Sequence, residues 1–146
     1  IGSIYNRYNT KDIGYFGGLI SVMPKFAVFF LIFSLGSIGF PGSSGFIGEF
    51  LTLLAVFSKN TLIACLASIG IILAAAYMLK LYKKVFLGEI NNNVISVKDD
   101  LRINEIIVFS MLVILIILIG IKPNLLLNFS TSSIERIITL YPISIF

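Results

Sequence analysis

The chain has 146 residues, of which 58% are hydrophobic and 12% charged, and its net charge is +4. A soluble domain of this size needs far more charge to cover its surface, so the composition points to a membrane protein. With no histidine and a single cysteine, Cys65, the chain excludes an internal disulfide and any His-based general base, and it argues against zinc or haem sites of its own.

In chain order, the first element is polar. "IYNRYNTKDIGYFGGL" mixes tyrosines with charges, as an interfacial loop does, and residues 1–25 are predicted to lie inside. The chain starts at Ile1, without a basic segment leading into an apolar core, so no signal peptide is visible and a fragment or the second half of a split protein is expected. The first apolar run, Phe26 to Phe40, covers roughly 22 Å, short of a ~30 Å hydrocarbon core. It continues past a Pro-Gly break into Ser43–Ser58 with no polar loop between, which predicts one discontinuous crossing over residues 26–58. The second run, Asn60 to Leu79, spans alone and is predicted to extend over 60–84. "GEINNNVISVKDD" supplies an inside loop, residues 85–99. The third run, Ile106 to Ile121, reaches full length if its helix starts near Asp99 or Asp100, either of which can cap it, giving a crossing over 100–122. After Pro123, apolar residues at 126, 127, 134, 137, 138 and 140 fit an amphipathic helix on the outer surface within a tail, 123–146. The predicted fold is therefore an all-α membrane protein with three crossings, the first a broken helix, plus a surface amphipathic C-terminal helix.

Three crossings place Arg7, Lys11, Lys25, Lys80, Lys83, Lys84, Lys98 and Arg102 on one side, and Lys59, Lys122 and Arg136 on the other. The richer side is the cytoplasm or matrix, so the N-terminal segment is inside and the C-terminus outside. These basic residues lie at the ends of apolar runs, which is a topology signal and not a nucleic-acid one. Lys80, Lys83 and Lys84 read as ordinary anchors, with anionic lipid headgroups as the other reading. Ala67, Gly70 and Ala74 are spaced for close helix packing, and Cys65 reads as inert packing.

"SIGFPGSSGFIGEF" carries the candidate chemistry. Backbone groups in lipid must be paired. Pro41 removes a donor, Gly39, Gly42, Gly45 and Gly48 weaken helix on both sides, and Ser43 and Ser44 supply hydroxyls for the freed groups. Broken helices at mid-membrane recur at ion and substrate sites, because half-helix ends present fixed partial charges. A tight turn between two short helices, or a kink for packing, is the plainer alternative. Glu49 follows about 13 Å from the end of its apolar run, too deep for easy contact with water. A carboxylate at that depth is costly and marks a functional site by default. Burial disfavours a charged carboxylate and a nearby cation favours it, so such a group exchanges a proton as neighbouring charge moves.

At these residues the sequence resembles a known family. "LGSIGFPGSSGFIGEFL" is similar to the broken twelfth transmembrane helix of the antiporter-like M-type chains of proton-pumping NADH:quinone oxidoreductase, respiratory complex I. "RYNTKDIGYFGGLISVMPKFA" resembles the family's preceding inside loop, "AYMLKLYKKVFLGE" the end of its thirteenth helix, and "DLRINEI" with "IGIKPN" its fourteenth helix and exit. The resemblance covers nearly the whole chain in order. It implies that Glu49 corresponds to the proton-channel glutamate of that helix, where sister chains usually carry lysine. The family's other channel residues would precede Ile1, and its chain is about three times longer.

The resemblance implies the C-terminal part of a proton-translocating subunit that moves protons while other subunits oxidise NADH and reduce quinone. It implies no cofactor or metal in this chain. The partners implied are other membrane subunits of complex I, the missing N-terminal part of the same subunit and membrane lipids, with no nucleic acid. The location implied is the energy-transducing inner membrane, mitochondrial or bacterial. The alternatives are a subunit of a cation/proton antiporter or membrane-bound hydrogenase, and a non-pumping structural remnant.

Overall fold

A computed structural model of the chain describes residues 2–90, 99–124, 127–128, 131 and 134–136, and every regular element among them is helical. The described α-helices are α1 (Gly2–Tyr8), α2 (Pro24–Ser37), α3 (Ser44–Phe57), α4 (Thr61–Phe86) and α5 (Ile103–Ile121), with short 3-10 turns at Ile13–Tyr15 and Leu19–Ser21. The all-helical class expected from the sequence is what these residues form. By length and composition α4 and α5 are able to cross a membrane, whereas α2 and α3, at 14 residues each, are apolar but shorter. Most of the loop expected over 85–99 and of the amphipathic tail expected over 123–146 lies outside the described residues.

Local chemistry sets the helix ends. Pro24 opens α2, where its missing N–H costs nothing. Asn60 caps α4, its side-chain oxygen accepting from the N–H groups of Leu62 (3.0 Å) and Ile63 (3.3 Å). Lys83 and Lys84 sit in the last turn of α4, where cations suit the helix dipole.

α4, about 39 Å long, contacts both α2 and α3 along its length. At its C-terminal end, Phe86 meets Phe26 of α2 with ring centroids 5.7 Å apart, and Tyr82 meets Phe30 at 6.3 Å. Farther back, Ala67 and Ile71 share a cleft with Glu49 and Leu53 of α3. Near its start, Ala64 and Cys65 share another with Phe57. The partners advance from Phe26 to Phe57 as α4 is followed backward, so α2 and α3 both run antiparallel to it, one after the other. At roughly 21 Å each, the two together match its length. On the other flank α5 runs parallel to α2: Phe109 packs on Phe29 (5.6 Å) and Phe33 (5.8 Å), Ile116 lies against Gly36, and Gly120 against the backbone of Gly42 and Ser43.

The buried core gathers at one end, where residues 4–23 fold over the ends of α2, α4 and α5 and bury Leu19, Met23, Phe26, Ala27, Phe86 and Leu101. Elsewhere large apolar side chains such as Leu62, Ile72, Met111 and Ile114 are exposed, on a scale that water does not tolerate. Gly70 faces open space, so the small-residue stripe of α4 makes no close packing with described residues at that point, and Cys65 is exposed.

Candidate functional site

The interruption between α2 and α3 is a helix end and a helix start, each capped. After Ile38, Gly39 turns left-handed at φ +76°. Its N–H donates to the Gly36 carbonyl (3.4 Å), and the N–H of Phe40 donates to the Leu35 carbonyl (3.0 Å). This bond pair is the Schellman cap, which satisfies the last carbonyls of α2. Pro41 and Gly42 follow, and the N–H of Ser43 donates to the Phe40 carbonyl (2.9 Å). The Ser43 hydroxyl accepts from the N–H of Phe46 (3.5 Å) and caps α3. Of the residues singled out from the sequence, Gly39, Pro41, Gly42 and Ser43 lie in the interruption, while Ser44, Gly45, Gly48 and Glu49 lie in α3.

The two half-helices overlap sideways. Gly45 sits against the Gly36 carbonyl so closely that a β-carbon there would overlap its oxygen. Glu49, one turn on, reaches back to Gly39: a β-carbon built on Gly39 would lie 3.0 Å from Glu49 Cδ and nearer still to Oε2. The other side of Glu49 faces an open cleft of about 510 Å³ between α3 and α4, lined also by Gly48, Thr52, Ala67 and Ile71. The Thr52 hydroxyl donates to the Gly48 carbonyl (2.7 Å). Among the described residues no hydrogen bond or ion pair holds the Glu49 carboxylate. Ala67 and Ile71 flank Gly70, the middle of the uncharged run Asn60–Leu79, so Glu49 stands level with the centre of that run of α4. Glu49 is thus a partly buried carboxylate with the interruption on one side and a cleft with room for water on the other.

A second polar cluster closes the opposite end of α2, and sequence reasoning missed it. Arg7 of α1 makes a two-pronged pair with Glu105 of α5, Nη2–Oε2 2.6 Å and Nη1–Oε1 3.1 Å. It also donates to the carbonyls of Ser3 (2.8 Å), Asp99 (2.9 Å) and Asp100 (2.9 Å). The bonded Glu105 carboxylate raises the Arg7 guanidinium above its already high ordinary range, so it stays charged. Asp100, read from the sequence as a cap for the third crossing, caps α2 instead: its carboxylate accepts from the N–H groups of Lys25 (2.9 Å) and Phe26 (3.3 Å). The start of α5 is held by Glu105, which accepts from the N–H of Arg102 (2.9 Å). The sequence marks Arg7 and Lys25 as topology anchors and Asp100 as a cap, and nothing in linear spacing joins residues 7, 25, 100 and 105.

Two helices long and apolar enough to cross a membrane, with two shorter apolar helices joined by a capped Pro-Gly turn and a carboxylate beside that turn, define an all-helical membrane protein. Residues 1–74 match the family described as "NADH:quinone oxidoreductase/Mrp antiporter, TM", and the chain belongs to that family. It is 50% identical over 138 residues to NADH-quinone oxidoreductase subunit M of Rickettsia bellii (strain RML369-C), covering 94% of this chain and 28% of that protein. It is 39% identical over 138 residues to NADH-ubiquinone oxidoreductase chain 4 of Marchantia polymorpha, with the same coverage. Among solved structures, respiratory complex I from Thermus thermophilus with bound NADH contains a chain 36% identical to this one, with a TM-score of 0.74 over 84% of this chain and 25% of that one. The chain thus spans about 28% of the length of the curated relatives it matches. The family resemblance read from the interrupted helix is borne out.

Proposed function

We propose that the chain is the C-terminal part of a proton-translocating, antiporter-like subunit of respiratory complex I, with Glu49 as a proton carrier. It works with the N-terminal part of the same subunit, other membrane subunits and lipids, in the energy-transducing inner membrane of a mitochondrion or a bacterium. NADH oxidation and quinone reduction belong to other subunits. The relatives' names and the shared fold support the complex. A discontinuous first crossing is supported by α2 and α3, each too short for a ~30 Å core, following one another along α4. The further crossings over 60–84 and 100–122, with the N-terminal segment inside, rest on apolar length and on the excess of basic residues on that side.

The observation that carries the reading is the Glu49 carboxylate, lodged against Gly39 in the interruption and open to the cleft on the other side. In the full-length subunit within the assembled complex, Glu49→Gln keeps size and hydrogen bonding but removes proton exchange. NADH-driven proton uptake in inverted vesicles is expected to fall at least about tenfold, with assembly intact on a native gel. Glu49→Asp is expected to retain part of the activity. Pumping at the parent rate by an assembled Glu49→Gln complex overturns the reading and favours a structural role. The family description also names Mrp antiporters; co-purification with NADH dehydrogenase activity separates complex I from a free-standing cation/proton antiporter.

A further inference from the structure

We infer that Gly39 is a positioning residue for Glu49: the space left by its missing side chain is the seat of the carboxylate. This rests on the reading of Glu49 as the carrier. The interruption contains two left-handed glycines, Gly39 at φ +76° and Gly42 at φ +95°. Backbone conformation alone treats them alike, and a helix cap of this kind also accepts asparagine. Their surroundings differ. A β-carbon on Gly42 meets nothing within 4 Å, whereas one on Gly39 takes the place of the Glu49 carboxylate. Gly39 is fixed by its bond to Gly36 and the following bond from Phe40 to Leu35. The carboxylate is the far end of a flexible side chain, so it is the part that yields. A side chain at position 39 therefore moves the carboxylate away from the interruption, toward the cleft beside Ala67 and Ile71. Proton transfer requires hydrogen-bond contact between donor and acceptor, and a displacement of ~1 Å is able to cost up to about a hundredfold.

The test compares Gly39→Ala, Gly39→Asn and Gly42→Ala in the full-length subunit of the assembled complex, each with Glu49 and with Glu49→Asp. Asn tolerates the left-handed conformation, so Gly39→Asn keeps the α2 cap while filling the seat. NADH-driven proton uptake, normalised to assembled complex, is expected to fall about tenfold in both Gly39 variants. Aspartate is one methylene shorter and clears the new β-carbon. Gly39→Ala with Glu49→Asp should therefore pump as well as Glu49→Asp alone, a rescue that a merely structural glycine does not show. The loss in Gly42→Ala should instead multiply with that of Glu49→Asp. Equal losses at the two glycines, both multiplying with Glu49→Asp, overturn the assignment. So does failure of both Gly39 variants to assemble where Gly42→Ala assembles, since that places the need for Gly39 in the fold. A Glu49→Gln complex pumping at the parent rate removes the carrier reading itself, and this assignment with it.

Discussion

Replacing Arg7 with alanine should free α1 from the bundle. A helix of seven residues is far too short to persist by itself, so α1 depends on its contacts. Those contacts include the burial of Ile4, the edge-on packing of Tyr8 on Phe16 at 5.4 Å, and the five bonds of Arg7. The Arg7 side chain is 9% exposed and that of Glu105 24%. Breaking a fully buried pair by removing one partner costs about 3–5 kcal/mol. Glu105 keeps some water and the N–H of Arg102, so the lower end applies, about 3 kcal/mol, or roughly a hundredfold in the population of the opened state. Hydrogen–deuterium exchange of the α1 amides in the purified complex reads that population directly. Exchange should rise about a hundredfold in Arg7→Ala and less in Arg7→Lys, which keeps the charge but not the fork. Arg7→Ala combined with Glu105→Ala should lose less than the sum of the single variants, because the two share one interaction. Exchange within about threefold of the parent in Arg7→Ala would show that apolar packing holds α1 and that the pair contributes little.

Asp100→Ala should raise amide exchange in the first turn of α2 by the equivalent of about 1 kcal/mol, and Asp100→Asn by less, since its amide oxygen still caps; no change at Lys25 and Phe26 refutes the cap. Gly120→Ala drives a β-carbon into the backbone of Gly42 and Ser43, so the yield of assembled complex should drop with a stability loss of about 1–3 kcal/mol, while pumping per assembled complex is retained because Glu49 lies on the side of α4. Topology is checked in a Cys65→Ser background with cysteines at Asn92 and Ser132, both outside the described residues: an impermeant reagent added outside should label position 132 and spare position 92.

How much of this was legible in the sequence follows from the range of each interaction. The all-helical class and the interruption are local: uncharged runs give the helices, and a proline among glycines gives the break. Less visible is that Ser44 and Gly45 belong to the first turn of α3, because the Ser43 hydroxyl already caps that helix through the N–H of Phe46. Glu49 stood out because a carboxylate is costly in an apolar run, but its seat on Gly39 is a contact across the turn that spacing alone does not specify. The glycines at 36 and 120 are silent in the sequence, since a lone glycine in an apolar helix carries no signal until the atoms facing it are known. The Arg7–Glu105–Asp100 cluster joins parts of the chain more than ninety residues apart and was beyond any local pattern.

The interruption has two unlike sides, and this bears on how a charge is handled there. On the flank of α5, Gly120 lies against the carbonyl of Gly42, and within the overlap Gly45 lies against the carbonyl of Gly36. Absent side chains let these backbones close on one another at the two carbonyls, while Phe40, Pro41 and Gly42 remain exposed. On the flank of α4 the cleft stays open, and Glu49 stands between it and the turn. Of the residues lining that cleft, Glu49 alone carries an ionisable side chain. The glycines do more than interrupt a helix: those at 45 and 120 let backbone approach backbone, and the one at 39, on the assignment proposed above, holds the seat from which Glu49 meets the cleft.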